Sequence, residues 1–514
     1  MKKIPLYLAL LAIVYLLTFM INLPDYDLWA RLAVGSIFFQ TGHVLKHDIF
    51  SYLPTKDLWI DHEWGSGVIF YFFTKYLGNG GLFVLKAVTI LAIFILIIKT
   101  IKLCTGHKDV GVFYLVFLGF SLFPGMANLI RCQLFTYFFF TLWIFLLEKV
   151  RRGENRMIWI FPATMLLWAN MHGGFLAGIG LVLIYTLRER FNRNHSWKYV
   201  GILALIVPVT LINPYGIHLW TYMAEAAFMP RPHIAEWSSI NLSGPVHIIA
   251  RVKIHVLVGF AIFVLMTLVA GVKLWHQKTK PDWTKIILIS VLLFLSMRHQ
   301  RHTEFFMLAA AGLLYHHYVD LFRSLDQFIT GRLLPTSLRL WKSIQWSFGY
   351  ILLGIILVYV SPKISHTVIV SPSSYPAGSF EFIRLNGISG NLATTYEWGS
   401  YAFWKLYPQC KVLIDGRYEE VYDNATYIKA MQFSKRKENW QEIIKYYSTD
   451  ILVLPKNTYS KEDMLSLTDW TPVYEDRISV LLLPKSAKKF IYFYPANESL
   501  LSWEENLSKK IRLN

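Results

Sequence analysis

The feature that most constrains this chain is a series of apolar stretches close to the length of a bilayer crossing. A membrane-spanning helix takes about 20 apolar residues, within a range of roughly 17–25. Stretches approaching that length fall at 4–22, 82–101, 110–124, 132–148, 157–170, 173–187, 199–213, 254–272, 285–297, 304–319 and 344–361. They predict an α-helical polytopic membrane protein of about eleven transmembrane helices, with a re-entrant segment open around Gly65–Leu77. Composition agrees: 54% of the 514 residues are hydrophobic and 16% are charged, where soluble domains carry roughly 25% charged residues. The chain starts Met1-Lys2-Lys3 and has no small-residue cleavage site before Asp25, so its first stretch reads as a retained span.

The formal net charge is +18. The basic residues fall in alternate short loops: Lys2/Lys3, Lys99/Lys102/Lys108, Lys149–Arg156, Arg188–Lys198, Lys273–Lys285 and Arg323–Lys342. Such loops face the cytoplasm and meet anionic lipid, which removes the need for a nucleic-acid partner. An odd number of spans then places the N-terminus inside and everything after Ser361 outside. The opposite face collects acids, bases and aromatics: the Asp25–Glu63 stretch, Arg131, Asn170 with His172, Glu236-Trp237 and Arg298–His302. That asymmetry puts the chemistry outside. Three cysteines (Cys104, Cys132, Cys410) are too few and too scattered for a disulfide framework or a zinc site.

Two domains follow: 1–361, a transmembrane domain with a large first external loop at 22–81, and 362–514, an extracytoplasmic soluble α/β domain. Ser371–Pro376 reads as an extended linker. Strands are expected at Asn391–Thr395, Lys411–Ile414, Asp450–Leu454 and Ile478–Leu483, with helices at Gly378–Asn386, Tyr418–Gln432 and Trp440–Tyr447. A surface helix is expected around Glu498–Ile511.

The stretch Asn22–Trp64 is longer, more acidic and more aromatic than a connection requires. In Asp25-Tyr26-Asp27 the two carboxylates can share a divalent cation, or one can act as base toward a hydroxyl. A solvated acidic turn after Pro24 is the plain alternative. Asp61-His62-Glu63-Trp64 sets a second acidic cluster at the far end. No ligand spacing of the i, i+4 or CxxC kind marks a metal site.

Arg131 and Arg298-His299-Gln300-Arg301-His302 fall at the outer ends of apolar stretches. There a guanidinium can take a phosphate bidentately, or simply snorkel to headgroups. Asn170-Met171-His172-Gly173-Gly174 offers polar contacts at the same rim or a tight helix–helix turn. Asn213-Pro214-Tyr215-Gly216 reads first as a terminator and turn. Tyr396–Tyr401 and Asp415-Gly416-Arg417 look like strand-to-loop junctions, and the second is either a ligand position or a local Asp–Arg pair.

Taken together these residues resemble a bacterial family of polytopic proteins with the pattern D-x-D-L-W-W-H-L-x-x-G, D-x-F-S-Y and D-H-E-W. Asp25-Tyr26-Asp27-Leu28-Trp29, Gly35, Asp48–Tyr52 and Asp61–Trp64 carry the match. Trp168–Gly174, Asn213–Gly216, Glu236-Trp237, Arg298–His302 and Asp415–Arg417 extend it over nearly the whole chain. That family is similar to the GT-C superfamily of membrane glycosyltransferases, which includes protein mannosyltransferases, lipid A aminoarabinose transferases and oligosaccharyltransferases.

The resemblance implies a polyprenyl-phosphate-linked sugar donor and a glycan, lipid or protein acceptor outside the cell. It implies catalytic roles for Asp25, Asp27, Asp61 and Glu63. Substrate contacts would come from Trp29, His62, Trp64, Arg131, Asn170, His172, Glu236, Trp237, Arg298, Arg301 and His302. Asp25 or Asp27 would be the base or, if a divalent cation such as Mg or Mn takes part, its ligand. The chain departs from the pattern at Ala30-Arg31, where the family has Trp-His, and it lacks the W-W-D-Y-G motif of peptide-sequon transfer. A transporter or flippase of lipid-linked saccharides, or a non-catalytic scaffold in envelope polysaccharide assembly, are the rival classes. Charged residues within spans would favour a transporter, and the spans are nearly free of them, with Lys86 and Glu148 among the exceptions.

Overall fold

The structure is a computed structural model. It describes residues 4–106, 110–191, 197–229, 235–240, 246–249, 252–255, 257–276, 281–330, 347–358, 361, 364, 366, 368 and 370–487. The expected surface helix at Glu498–Ile511 and the basic residues Lys278, Lys280, Arg332, Arg339 and Lys342 lie outside the described residues. The chain divides into two compact units.

The first unit comprises Met1–Ile21, Phe83–Gly216 and Ala227–Ile364 and is helical. A helix lies on each of the eleven apolar stretches. Among the described residues, however, only Gly80–Thr105, Gln133–Arg151 and Val258–His276 are long and apolar enough to cross a membrane. Gln300–Leu313 and Tyr315–Thr330 make a fourth crossing if counted together, but they meet at a bend of 72°. The others are shorter, and local chemistry explains two of them. Gly173-Gly174 separates the helices Ile160–Met171 and Phe175–Phe191, and Pro208 followed by Asn213-Pro214 ends Trp197–Val209. The Val258–His276 helix leaves Leu265, Leu268 and Val272 exposed, the pattern of a lipid-facing surface.

Lys86 and Glu148 have structural partners. Lys86 Nζ donates to the carbonyls of Thr18 and Ala127 at 3.0 and 2.9 Å. Glu148 accepts from Arg152 at 2.6 Å and from the Tyr185 hydroxyl at 2.8 Å. Buried ionic groups in apolar surroundings persist only when paired in this way. The transporter reading therefore finds no mobile charge in either. An antiparallel hairpin of β1 (Val246–Ile249) and β2 (Val252–His255) also belongs to this unit and was not expected from the sequence.

The second unit comprises Asn22–Leu82, Ile217–Ala226 and Ser365–Asn514. The stretch read as one long loop contains two helices, Tyr26–Thr41 and Trp64–Leu77. Asp25 caps the first helix by accepting from the Asp27 amide at 3.1 Å, and Gly42 closes it at φ +72°. Between those caps Leu28, Trp29, Leu32, Ala33 and Val34 are buried, so a helix-period apolar face was present beneath the charges. The two helices cross through glycines. A Cβ on Gly35 would lie 2.2 Å from the Gly67 carbonyl oxygen, and one on Gly67 2.6 Å from that of Arg31. Gly35→Val is therefore expected to lower stability by about 1–3 kcal/mol through overpacking, read as a fall in the thermal unfolding midpoint of the purified protein.

A five-stranded sheet completes the unit: β3 (Gly390–Ala393), β4 (Cys410–Val412), β5 (Ile451–Pro455), β6 (Trp470–Glu475) and β7 (Ser479–Pro484), in the order β4-β3-β5-β7-β6. β3 pairs in parallel with β4 and β5, whereas β7 runs antiparallel to β5 and β6. Four of these strands coincide with the expected runs. β6 was not expected: it is an edge strand with only Tyr474 buried, and it carries Pro472 and a register shift.

The expected helix Tyr418–Gln432 is two helices, Tyr418–Val421 and Asn424–Ser434, the second capped by Asp423. Tyr396–Tyr401 is not a strand-to-loop junction but the start of a helix, Tyr396–Leu406. Gly399 lets that helix lie against the strand end, where a Cβ would fall 1.9 Å from the Ile414 carbonyl oxygen.

Candidate functional site

Within the second unit, the landmarks from both ends of the sequence meet. Asp48 accepts from the amides of Phe50 and Ser51, which shapes a turn. The following residues extend the sheet beyond its β4 edge: the Val412 amide donates to the Phe50 carbonyl at 2.8 Å, and the Tyr52 amide to the Val412 carbonyl at 3.1 Å. Covering an edge strand this way satisfies its open backbone groups.

Arg417 fastens the junction. It pairs with Asp415 through two bonds of 2.7 Å and reaches Asp48 with its remaining guanidinium nitrogen. All three side chains are buried, and the guanidinium lies 4.7–5.1 Å from the ring centres of Phe50, Trp59 and Phe403. The Asp–Arg pair expected at Asp415–Arg417 is thus present, and Asp48 turns it into a clamp on a segment about 370 residues away.

A second buried network lies close by. Arg31 binds Asp61 and approaches Glu420 at 3.4 Å and Glu63 at 3.5 Å. His62 meets Glu420 at 3.1 Å, and the Trp59 indole donates to Glu420 at 3.2 Å. Burial pulls the Glu420 carboxyl upward, but Arg31, His62 and Trp59 hold it down at about 2. Burial dominates at Asp61, whose carboxyl stays raised despite Arg31. The departure at Arg31 therefore has a role here: its guanidinium organises the acids of Asp61-His62-Glu63.

Ligating atoms of His62, Glu63 and Glu420 lie within 4.8 Å of one another, the one such group among the described residues. One imidazole and two carboxylates are a donor set that suits a divalent cation. The buried Asp61 Oδ2, without a hydrogen-bond partner, adds to the acid excess there. The same carboxylates also serve Arg31.

The second network fixes the Tyr26–Thr41 helix through Arg31, and with it Asp25 and Asp27. Asp25 is engaged as the helix cap. Asp27, in the first turn, is exposed to solvent beside the Asp415-Gly416-Arg417 turn. A Cβ on Gly416 would lie 3.1 Å from Asp27 Oδ1. Trp29 is fully buried between Tyr375 and Tyr401, at ring distances of 5.8 and 4.8 Å, so it packs the core and has no open face for a sugar. Trp64 packs on Phe38 at 5.8 Å, and His62 lies 5.2 Å from the Tyr222 ring.

The first unit holds a separate cluster. Arg131 donates to Glu236 at 3.0 Å. The Arg301 guanidinium lies 4.4 Å from the Trp237 ring centre and within electrostatic reach of Glu236. Burial raises the Glu236 carboxyl, but Arg131 and Arg301 together hold it below its ordinary value.

The segment carrying Glu236 is pinned to the turn carrying Arg301. His299 Nδ1 meets the Trp237 carbonyl at 2.6 Å, and the Gln300 amide donates to the Ser238 carbonyl at 3.1 Å. His172 Nδ1 accepts from the Gly174 amide at 2.8 Å and contacts the Thr136 hydroxyl at 2.9 Å, while Thr136 takes the Trp168 indole proton. With Nδ1 an acceptor, the ring proton resides on Nε2. His302 lies 6.4 Å from the Trp237 ring. Arg298 is exposed at the end of its helix, and Asn170 is spent on the Leu166 and Ile212 carbonyls at 2.9 Å. Asn213 closes its own turn, donating to Thr210 and Gly216 and accepting from Tyr215.

Two acids escaped the sequence reading. Glu304 is buried beside Gly125 and accepts from the Thr303 hydroxyl at 3.1 Å. The signal was an acid at the start of an otherwise apolar helix. Glu420 had no local signal, since its partners Arg31, Trp59 and His62 are more than 350 residues away.

No protein-family model matches the sequence, and no curated protein matches it. Among solved structures the fold is similar to the apo oligosaccharyltransferase of Archaeoglobus fulgidus (TM-score 0.58, 10% identity, covering 88% of this chain and 70% of that chain). The archaeal oligosaccharyltransferase AglB of the same organism, in complex with an inhibitory peptide and a dolichol-phosphate, gives a TM-score of 0.57 at 10% identity, with 88% and 70% covered. ArnT from Cupriavidus metallidurans bound to undecaprenyl phosphate gives 0.50 at 14% identity, with 95% and 98% covered. At such identities the likeness concerns the fold alone.

Proposed function

We propose that the chain is a membrane glycosyltransferase of the GT-C type. It would move a sugar from a polyprenyl-phosphate-linked donor to an acceptor hydroxyl outside a bacterial cytoplasmic membrane, with inversion. The observation that carries this reading is the gathering of Arg131 and Arg301, 170 residues apart in sequence, on Glu236. It occurs in a fold whose solved relatives include complexes with undecaprenyl phosphate and dolichol-phosphate. Two guanidiniums beside one carboxylate suit an incoming phosphate, to which each can offer a bidentate fork.

In the reaction Asp27 takes the proton of the acceptor hydroxyl. The acceptor oxygen bonds to the anomeric carbon, and the carbon–oxygen bond to the phosphate breaks. The electron pair leaves with the polyprenyl phosphate. Asp27 is assigned the base because Asp25 is committed to capping. A divalent cation, Mg or Mn, bound by His62, Glu63 and Glu420 would neutralise the acid excess of that network. No step of the transfer runs through it. Envelope polysaccharide assembly is the setting this chemistry suits.

The test uses undecaprenyl phosphate with the full-length protein in nanodiscs. Native mass spectrometry should show the lipid retained, and Arg301→Ala or Arg131→Ala should weaken retention tenfold or more. Equal retention by both variants, or none by the wild type, would sink the assignment.

A further inference from the structure

Glu236 has no task in that transfer, yet its carboxylate takes a hydrogen bond from Arg131 at 3.0 Å and lies within electrostatic reach of Arg301. A phosphate that engages both arginines must displace it. Three observations show that it can be displaced. The pair is partly open, with Arg131 and Glu236 29% and 30% exposed, whereas Arg417 and Asp415 are both at 0%. An ion pair open to solvent contributes little, so little is lost when it parts. The backbone around Glu236 is also held by its neighbours. His299 Nδ1 meets the Trp237 carbonyl at 2.6 Å, while the Gln300 backbone and side chain donate to the Ser238 carbonyl and hydroxyl, each at 3.1 Å. Finally, the Trp237 ring supports the Arg301 guanidinium at 4.4 Å, a contact that does not involve the carboxylate. Glu236 can therefore swing about its own side-chain bonds while the turn stays fixed, and its charge remains close to whatever replaces it.

We infer that Glu236 sets the charge specificity of this site, weakening its hold on the phosphomonoester of a spent carrier more than on the phosphodiester of a sugar-loaded one. The inference rests on the reading of Arg131 and Arg301 as the phosphate contacts, and adds how the site tells substrate from product. A phosphodiester bears a single negative charge, whereas a phosphomonoester bears roughly 1.5–2 at pH 7. Attraction to two guanidiniums grows with that charge, so the arginines alone would grip the product more tightly than the donor. Repulsion from a tethered carboxylate grows in the same proportion and acts against the product most. The resident anion thus offsets the bias of its own arginines and lets the spent carrier leave.

The test titrates undecaprenyl phosphate, and separately its methyl phosphodiester, into the full-length protein in dodecyl maltoside micelles, which carry no phosphate. Bound lipid is counted by native mass spectrometry. Glu236→Gln removes the charge and keeps the shape. It is expected to bind undecaprenyl phosphate about threefold more tightly than the wild type, or better, with a smaller gain for the diester and an unchanged unfolding midpoint. If the midpoint falls, Glu236→Ala carries the same two expectations. A merely structural role would move both lipids alike. The inference is overturned if undecaprenyl phosphate gains less than this, or if the diester gains as much. Arg131→Ala and Arg301→Ala run alongside. Should both keep undecaprenyl phosphate like the wild type, the phosphate site itself fails and the inference with it; should they lose it while Glu236→Gln gains nothing, only the inference falls.

Discussion

Asp27→Asn will lower sugar transfer by about 10²–10⁴-fold, the range a positioned general base supplies, while leaving the unfolding midpoint in place. The side chain is exposed in the first turn of its helix, and the asparagine is isosteric, so little packing changes. Asn also fills the helix's first turn without disturbing the Asp25 cap. Asp25 gives the contrast that makes the result specific. Asp25→Asn keeps a good capping side chain and should retain most activity, whereas Asp25→Ala should cost about 1 kcal/mol of stability through the lost cap. The measurement is release of polyprenyl phosphate and formation of the glycosylated acceptor by protein in proteoliposomes. Asp27→Asn retaining more than a tenth of wild-type turnover would end its assignment as the base.

Arg417→Met will destabilise the second unit by about 3–5 kcal/mol, the cost of removing one partner from a buried ion pair. Asp415 and Asp48 would face each other in a buried site with no cation, and the three rings around the guanidinium would lose their centre. Hydrogen exchange should report this at the Tyr52 and Val412 amides, whose bonds join the first segment to the sheet edge. Arg417→Lys keeps the charge but not the fork, so it should fall between the variant and the wild type. Unchanged exchange at both amides in Arg417→Met would show that the apolar contacts alone hold the junction. Transfer is expected to fall in the same variant, because the Asp415-Gly416-Arg417 turn sits against Asp27.

What the sequence determined by itself was the local pattern. Runs of apolar residues required helices, and a helix lies on each, though among the described residues only three, or four with the bent pair, are long and apolar enough to cross a membrane. Short β-branched runs between helical ones similarly required four of the five sheet strands. Less legible were elements whose charges masked their period, such as Tyr26–Thr41, and the exposed edge strand Trp470–Glu475, whose proline argued against a strand.

The roles of the polar residues belonged to tertiary structure. Asp25 and Asp27 look alike in the chain, yet one caps a helix and the other meets solvent beside Gly416. Asp48 and Asp61 read as members of one acidic stretch, but each answers to a different arginine, Arg417 and Arg31. A carboxylate's function is set by the cation or proton donor that folding brings against it. Coulomb energy and desolvation depend on distance in space, and separation along the chain carries no record of either.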